Sequence, residues 1–294
     1  MLLKKIKQQN KRKIYFLGVK IFSYKSSKKI HEENKVIFNQ PVEIYPLTKD
    51  NILLKNKASR KRCFVLATGA SIKKQNLKML AGEDCYSISN FFLHEDIKEI
   101  NPKFHFFAPY HKPLILENYV DWMRMADKYL PEKTEMVLCD SNEYLVREYN
   151  LFPKRKIHYL HFGSIDIPVN TDITKSIKAP QTGPIMMLPV MDYLGYKEIY
   201  LVGQDMNRIA SYGGTTPNFY SKDPRKNATN GEQWVDIIPE MERTLVMFRQ
   251  FKEYADYFSA KGIGFYNLSP ISWLSFIEKR DFNTVLRGKN EKSA

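Results

Sequence analysis

The sequence predicts an α/β fold, a Rossmann-like, doubly wound, mainly parallel sheet that carries a small lid segment. Three observations predict it. Short apolar runs alternate with amphipathic segments from Cys63 to Leu268, the order expected of successive β-α-β units. The run Cys63–Ala67 passes directly into small residues, Thr68-Gly69-Ala70-Ser71, after which Ile72, Leu77 and Leu80 suit a helix packed on a sheet. A second run, Ile199–Val202, is apolar throughout, as a strand buried on both faces should be. It ends in a polar corner, Gly203-Gln204-Asp205, and open α/β sheets place ligands at such strand ends.

The strand, glycine turn and helix start around Gly69 make a ready anion site. The first N–H groups of a helix lack internal partners, and its dipole favours negative charge. The stretch has neither the lysine of a P-loop nor the full G-x-G-x-x-G spacing, so an ordinary βα turn is the competing reading. Further along, Cys85–Ser89 predicts a second strand leading into Asn90-Phe91-Phe92. Phe104–Ala108 predicts a third, ending in Pro109-Tyr110-His111-Lys112-Pro113. Leu114–Leu130 has helical spacing, with Ile115, Tyr119, Trp122, Met123 and Ala126 on one face. Met136–Cys139 reads as a strand, Asn142–Tyr149 as a short helix capped by Ser141, and His158–Phe162 as a fifth strand.

Pro184 and Pro189 interrupt the helical pattern from Pro180 to Leu194, which predicts a kink or a late start. Residues 206–239 are rich in Gly, Asn, Thr and Pro and form the lid; so long a loop in a compact domain is functional, disordered or both. Met241–Lys261 is amphipathic, with Leu245, Phe248, Phe251, Ala255 and Phe258 on one face and Gly262 at the position that closes a helix. Ile263–Leu268 is a final strand, and Ser269-Pro270 caps a last helix reaching Ile277. The chain thus divides into a basic aromatic membrane-surface segment (1–36), a linker (37–61), the Rossmann-like domain (62–280, with the lid at 206–239) and a flexible tail (281–294).

A chain of 294 residues buries one large core, or one core and a lid. Cys63, Cys85 and Cys139 lie in strand patterns without metal-ligand spacing and read as reduced core residues of a cytosolic protein. No apolar run is long enough to span a membrane. Of the net charge of +14, residues 1–36 hold +9, with eleven Lys and Arg against Glu32 and Glu33. A nucleic-acid binder would spread its basic residues over a folded face with stacking aromatics, so nucleic acid is not expected as a partner. In the head, Ile14–Tyr24 is apolar and aromatic between flanking lysines. Attachment to an anionic membrane leaflet is the preferred reading, and a hairpin turning at Gly18 and packing on the domain is the other.

Three stretches together carry a resemblance: Ala67-Thr68-Gly69-Ala70-Ser71-Ile72; Ser87-Ile88-Ser89-Asn90-Phe91-Phe92; and Gln181-Thr182-Gly183 followed by Leu194-Gly195-Tyr196-Lys197-Glu198-Ile199-Tyr200-Leu201-Val202-Gly203-Gln204-Asp205. In this order they resemble the bacterial sialyltransferases of glycosyltransferase family 42. They are also similar to the wider group of motility-associated flagellar glycosyltransferases and archaeal 6-hydroxymethylpterin pyrophosphokinases. The resemblance covers about residues 62–280. It implies a Rossmann-like domain with a lid, a CMP-activated acidic sugar as donor, and catalysis without a metal or other cofactor. It puts Gly69, Ser71, Asn90, Thr182 and Gly183 at the donor, Gln204 and Asp205 at the sheet edge, and Tyr212 or Tyr220 at the leaving phosphate. The absence of any Asp-x-Asp pair agrees with a metal-free reaction.

The sequence departs from that family in one respect. The family takes a histidine base from the lid, and this chain has no histidine after His161. The corresponding span offers Glu232, Asp236 and Glu240; Glu240 and Glu242 read more simply as first-turn acids of a helix. His111 is the other candidate base, since a histidine titrates near neutrality and this one follows a strand end. A loop histidine that only binds substrate is the competing account. The expectation is an inverting glycosyltransferase that passes an acidic sugar to a surface glycan or its lipid-linked precursor at the inner membrane face. A pterin pyrophosphokinase-like diphosphotransferase and an inactive nucleotide-binding module are the alternatives. The sequence leaves the oligomeric state open, a homo-oligomer included.

Overall fold

The computed structural model describes residues 3–8, 11–16, 19–25, 45–111, 114–211, 218–220 and 236–287. Two units make up the chain, Met1–Glu43 and Ile44–Ala294. In the first, β1 (Leu3–Gln8), β2 (Lys11–Phe16) and β3 (Val19–Lys25) form an antiparallel sheet in the order β1-β2-β3.

The second unit is built on nine parallel strands. They are β4 (Arg62–Leu66), β5 (Cys85–Ile88), β6 (Phe104–Phe106), β7 (Glu135–Cys139), β8 (Ile157–Phe162), β9 (Ser176–Ile177), β10 (Glu198–Val202), β11 (Gly264–Asn267) and β12 (Glu278–Lys279). Their spatial order is β12-β11-β10-β4-β5-β6-β7-β8-β9. Successive residues of β4 face opposite sides of the sheet. Cys63 and Val65 enter a core with the helices α4 (Gly183–Leu194) and α5 (Ile237–Ala260), while Phe64 and Leu66 enter a second core with α2 (Leu116–Tyr129). Two short helices, α1 (Ile97–Ile100) and α3 (Glu143–Glu148), complete that second layer. The doubly wound α/β expectation is therefore met, and Cys63, Cys85 and Cys139 are buried free thiols.

Helix α4 starts late, at Gly183 with Pro184 in its first turn, where the missing proline N–H costs nothing. Ile185–Leu194 is buried at every position, so α4 is a central helix rather than an amphipathic surface one. Arg155 donates to the carbonyls of Asp127 and Leu130, oxygens that the end of α2 leaves open, and to that of Thr134 just before β7. Gly262, with φ of +66°, closes α5 as expected.

Several elements differ from the expectation. The segment after the glycine turn is not an α-helix but two 3-10 turns, Ala70–Lys74 and Leu77–Leu80, separated by extended Gln75. Ile72, Leu77 and Leu80 are buried all the same, so the packing expected of a helix is met by two short turns. Ser141 does not cap α3; its hydroxyl donates to Cys139 Sγ. Ser269-Pro270 opens no helix, and the last helix is α6 (Phe282–Arg287), whose Phe282 and Leu286 are buried. Residues 281–287 thus belong to the domain, not to a free tail. So does the chain from Tyr45. Thr48 donates to the Thr174 carbonyl, and Asn51 Nδ2 reaches the carbonyls of Tyr159 and Ile173, stapling the β8–β9 edge. Leu245 was expected on the core face of α5, but it is 50% exposed; the helix's buried apolar positions are Phe251, Tyr254 and Phe258. Among the described residues no helix is long and apolar enough to cross a membrane.

Candidate functional site at the β4–β10 switch

The strand order fixes where a site can form. From β4 the chain moves outward through β5, β6, β7, β8 and β9, then returns to lay β10 against the other side of β4. The carboxyl ends of β4 and β10 are therefore the topological switch point, where the connections leave in opposite directions and open a crevice. The glycine turn leaves β4 at this point and the Gly-Gln-Asp corner leaves β10.

The two corners are in direct contact. Gly69 N–H donates to the Gly203 carbonyl at 2.9 Å. A Cβ on Gly69 would lie 2.4 Å from Gly203 O and 2.6 Å from Asp205 Cγ, so only glycine fits this approach. Gly203 has φ of +68°, a left-handed turn that swings the next residues over the β4 end. Asp205, 5% exposed, accepts the Ser71 N–H at Oδ2 (3.0 Å) and the hydroxyls of Ser71 (2.5 Å) and Ser269 at Oδ1. The first N–H donor expected to meet an anionic ligand is thus answered by a carboxylate of the chain itself. Asn267 holds this corner from below, with Nδ2 near the Gln204 carbonyl (3.3 Å) and Oδ1 accepting the Ser269 N–H (2.9 Å). Gln204 is buried beside it.

A short piece of the lid lies on the turn. Asn218 bridges Gly69 in antiparallel fashion, and Phe219 N–H donates to the Thr68 carbonyl at 3.3 Å. The Phe219 ring sits 5.8 Å from Phe91 and 5.2 Å from His94, and Tyr220 meets Phe219 edge-on. Burial pushes the His94 pKa down against the opposing pull of Asp96 and Glu95, so a neutral imidazole stacks on Phe91. Tyr212 and Glu232 lie outside the described residues.

The second and third stretches meet at β5. Asn90 is fully buried in the turn after β5, and its Oδ1 accepts the Trp122 indole N–H at 2.6 Å. A Cβ on Gly183 would lie 2.5 Å from Ile88 Cδ1, which sets the start of α4 against the end of β5, with half-buried Thr182 as the residue before it. Gln250 fixes the approach to that start, accepting the Gln181 N–H and donating to the Ala179 carbonyl. Gly69, Ser71, Gln204 and Asp205 thus form one cluster, with Asn90, Thr182 and Gly183 one strand away.

The candidate bases lie apart from this cluster. His111 is exposed in the loop after β6, two strand spacings or roughly 10 Å from β4. The Asn142 side chain accepts the Tyr110 N–H, and Tyr119 donates to the Ala108 carbonyl, so the start of that loop is tied down. Asp236 is exposed and caps α5, accepting the Ile238 N–H at Oδ1. Glu240 is buried between Arg208 and Arg243. His158 pairs with Glu135 at the opposite end of the sheet from the switch crevice. His161 pairs with Asp140 at 2.5 Å under a stacked Tyr45.

Sequence reasoning missed Ser269, Asn267 and Phe219. Asn267 ends β11 and Ser269 follows it, and only the pairing of β11 with β10 brings them to the Asp205 corner. Among the described residues no group of three or more His, Cys, Asp or Glu is placed to hold a metal ion.

No family model matches the chain, and no curated protein does. Among solved structures it is similar to the sialyltransferase CstII from Campylobacter jejuni in complex with the substrate analogue CMP-3FNeuAc. The identity is 17%, the coverage 75% of this chain and 86% of that one, and the TM-score 0.44. A structure of the sialyltransferase CST-II with a trisaccharide acceptor and CMP gives 16%, 74% and 85%, and 0.42.

Proposed function

We propose that the chain is an inverting, metal-independent glycosyltransferase. It moves an acidic sugar, a sialic acid-like nonulosonate or Kdo, from a CMP donor to a surface glycan or its lipid-linked precursor. The observation that carries this reading is the coincidence of the three resembling stretches with one end of the sheet. The glycine turn, the Gly-Gln-Asp corner and the start of α4 all open on the switch-point crevice.

In this reading the close-packed floor of Gly69, Ser71, Gln204 and Asp205 shapes the crevice, and Asn90, Thr182 and Gly183 border the donor. Tyr212 or Tyr220 steadies the leaving phosphate. Inversion needs a base on the acceptor hydroxyl and relief of charge on the departing phosphate, and no covalent nucleophile. His111 is the preferred base. Asp236 already spends an oxygen on capping α5, which leaves Glu232 as the other lid carboxylate. Residues 1–36, with +9, attach the enzyme to the anionic inner face of the cell membrane.

The Asp205 network also bears on the diphosphotransferase alternative. Both oxygens of Asp205 are engaged by Ser71 and Ser269, so the carboxylate best placed to hold Mg²⁺ beside a triphosphate is already committed.

The test is a thermal-shift series with CMP, CDP, UDP, GDP and ATP, followed by turnover of a CMP-sugar. Ligand binding to the folded state raises its melting temperature. CMP should stabilise the protein without Mg²⁺. His111→Ala should keep that shift while losing about 10² to 10⁴ in rate. Stabilisation by Mg²⁺-ATP alone would make the chain a diphosphotransferase, and tight CMP binding without turnover would make it a binding module. A near-wild-type rate for His111→Ala would move the base to the lid.

A further inference from the structure

The outward face of α5 changes character along its length. Ile238, Met241 and Leu245 follow one another at three- and four-residue steps, so they adjoin on the helix surface. They are 64, 56 and 50% exposed, while Phe251, Tyr254 and Phe258 turn the opposite face into the core. Further along the outward face stand Arg249, Lys252 and Asp256, all exposed. The apolar stretch is therefore confined to the start of the helix.

That start stands at the crevice. Arg208, three residues beyond Asp205, pairs with Glu240 in the first turn of α5 at 3.3 Å. The loop after β11 reaches the same corner: the Trp273 N–H donates to the Asp205 carbonyl at 2.9 Å. The Trp273 side chain is exposed, and so is Ile271 two residues before it. Leu274 and Ile277 of this loop enter the core that α5 covers, and Phe276 meets Phe248 edge-on at 6.5 Å. Two exposed apolar surfaces, one on the helix and one on the loop, thus border the Asp205 corner.

We propose that this apolar rim seats the chain on a lipid bilayer, so that the crevice meets an acceptor whose lipid part stays in the membrane. The inference deepens the transferase reading, and its choice of acceptor rests on that reading: of the two acceptors it selects the lipid-linked precursor. Five side chains are too few for a stable protein interface, which uses about 20–30 residues a side. A bilayer demands no complementary surface. Helices with one apolar face lie in its interfacial plane, and tryptophan collects at that level. A lipid-linked acceptor presents its hydroxyl close to the membrane, so the crevice end of α5 is where such a seat has to be. The charged half of the same face then remains in water.

The experiment labels the full chain at Met241→Cys with an environment-sensitive dye; Cys63, Cys85 and Cys139 are buried and stay unlabelled. Lys252→Cys, on the charged part of the outward face, is the control. Phosphatidylcholine vesicles in high salt are used, because they carry no net charge and salt screens electrostatic attachment elsewhere in the chain. Emission from position 241 should shift to the blue with vesicles, and emission from position 252 should not. Ile238→Ser/Met241→Ser/Leu245→Ser should weaken co-sedimentation about a hundredfold, at about fivefold per half-exposed side chain, with an unchanged melting temperature. The triple should also raise the KM for an acceptor sugar on a long alkyl chain held in the vesicles, and leave transfer to the same sugar in solution unchanged. No shift at position 241, or equal shifts at 241 and 252, overturns the seat. A clearly lower melting temperature for the triple shows the face to be packed within the chain, and a dimer that the triple abolishes in analytical ultracentrifugation gives the face to a second copy; either result overturns the proposal. A dye shift with no sugar transferred to either acceptor keeps the seat and removes the transferase reading, whereas turnover with a silent dye does the reverse.

Discussion

Replacing Gly69 by alanine tests whether the crevice floor is as tight as its geometry implies. The backbone of Gly69, at φ −64° and ψ 155°, is one that any residue adopts, so the substitution carries no conformational penalty of its own. The cost is steric: the added methyl would sit 2.4 Å from a backbone carbonyl, about an ångström inside normal contact. That carbonyl cannot yield easily. It accepts the Gly69 N–H, and Gly203 sits at φ +68° with Ile72 packed close on its other side. Overpacking of this kind costs about 1–3 kcal/mol, and a backbone obstacle puts it at the upper end. For a unit of this size each kcal/mol moves the melting temperature by roughly 2–4 °C, so Gly69→Ala should melt about 6–12 °C lower. Gly183→Ala is the control. Its methyl would meet Ile88 Cδ1 at 2.5 Å, the far end of a side chain that can turn away at about 0.5–1.5 kcal/mol. Differential scanning fluorimetry on both variants, with and without CMP, decides the matter. A Gly69→Ala protein within a degree of wild type, or one hit no harder than Gly183→Ala, would refute the close-approach argument.

Two further outcomes follow from buried polar groups. Asn90→Ala leaves the buried Trp122 indole N–H without its 2.6 Å acceptor, at a cost of about 1–3 kcal/mol. Any loss of CMP binding in that variant should therefore be judged against its melting temperature, and a variant with wild-type stability would show the bond to be dispensable. His105 is fully buried, with Nδ1 on Ser87 Oγ, and burial pushes its pKa down to about 3, helped by Arg155 and opposed by the Ser89 backbone. The unfolded chain takes up that proton near pH 6.5 and the folded one does not, so stability present at neutral pH is lost as pH falls from about 6.5 toward 3, by about 1.4 kcal/mol per unit. Chemical denaturation of His105→Asn should show a flatter dependence between pH 6 and 4, and an unchanged slope would refute it.

What the sequence disclosed and what it concealed divide along physical lines. Strands such as Ile199–Val202 were legible because a strand buried on both faces must be continuously apolar. The late start of α4 followed from the fixed φ of Pro184. The 3-10 turns after Gly69 were not legible, because apolar spacing over nine residues does not distinguish one helix from two short turns. The role of Ser269 was hidden for another reason. A Ser-Pro pair after a strand reads as a helix start, and only the pairing of β11 with β10 brings that hydroxyl to Asp205 instead. Asp205 itself was named as a sheet-edge acid, but its partner Ser71 is 134 positions away. No local pattern encodes such a contact.

That contact determines what the glycine turn can accept. An ionised carboxylate is acceptor-only, and Asp205 gathers the Ser71 N–H and the hydroxyls of Ser71 and Ser269. A phosphate seeking the same N–H would stand about 4 Å from a like charge, a repulsion of about 4 kcal/mol near a protein surface. The phosphate of the proposed donor therefore lies elsewhere in the crevice, and the turn serves as a rigid floor. Asp205→Asn separates these roles. The amide keeps the shape and can turn its oxygen to the Ser71 N–H while the serine hydroxyls accept from its nitrogen. Three charge-assisted bonds become neutral ones at about 1 kcal/mol each, so the protein should melt lower by an amount worth about 3 kcal/mol. Calorimetric titration of CMP well below the melting temperature should then give an affinity equal to or better than wild type. A folded Asp205→Asn protein that no longer binds CMP would make Asp205 a direct ligand contact and overturn the floor argument.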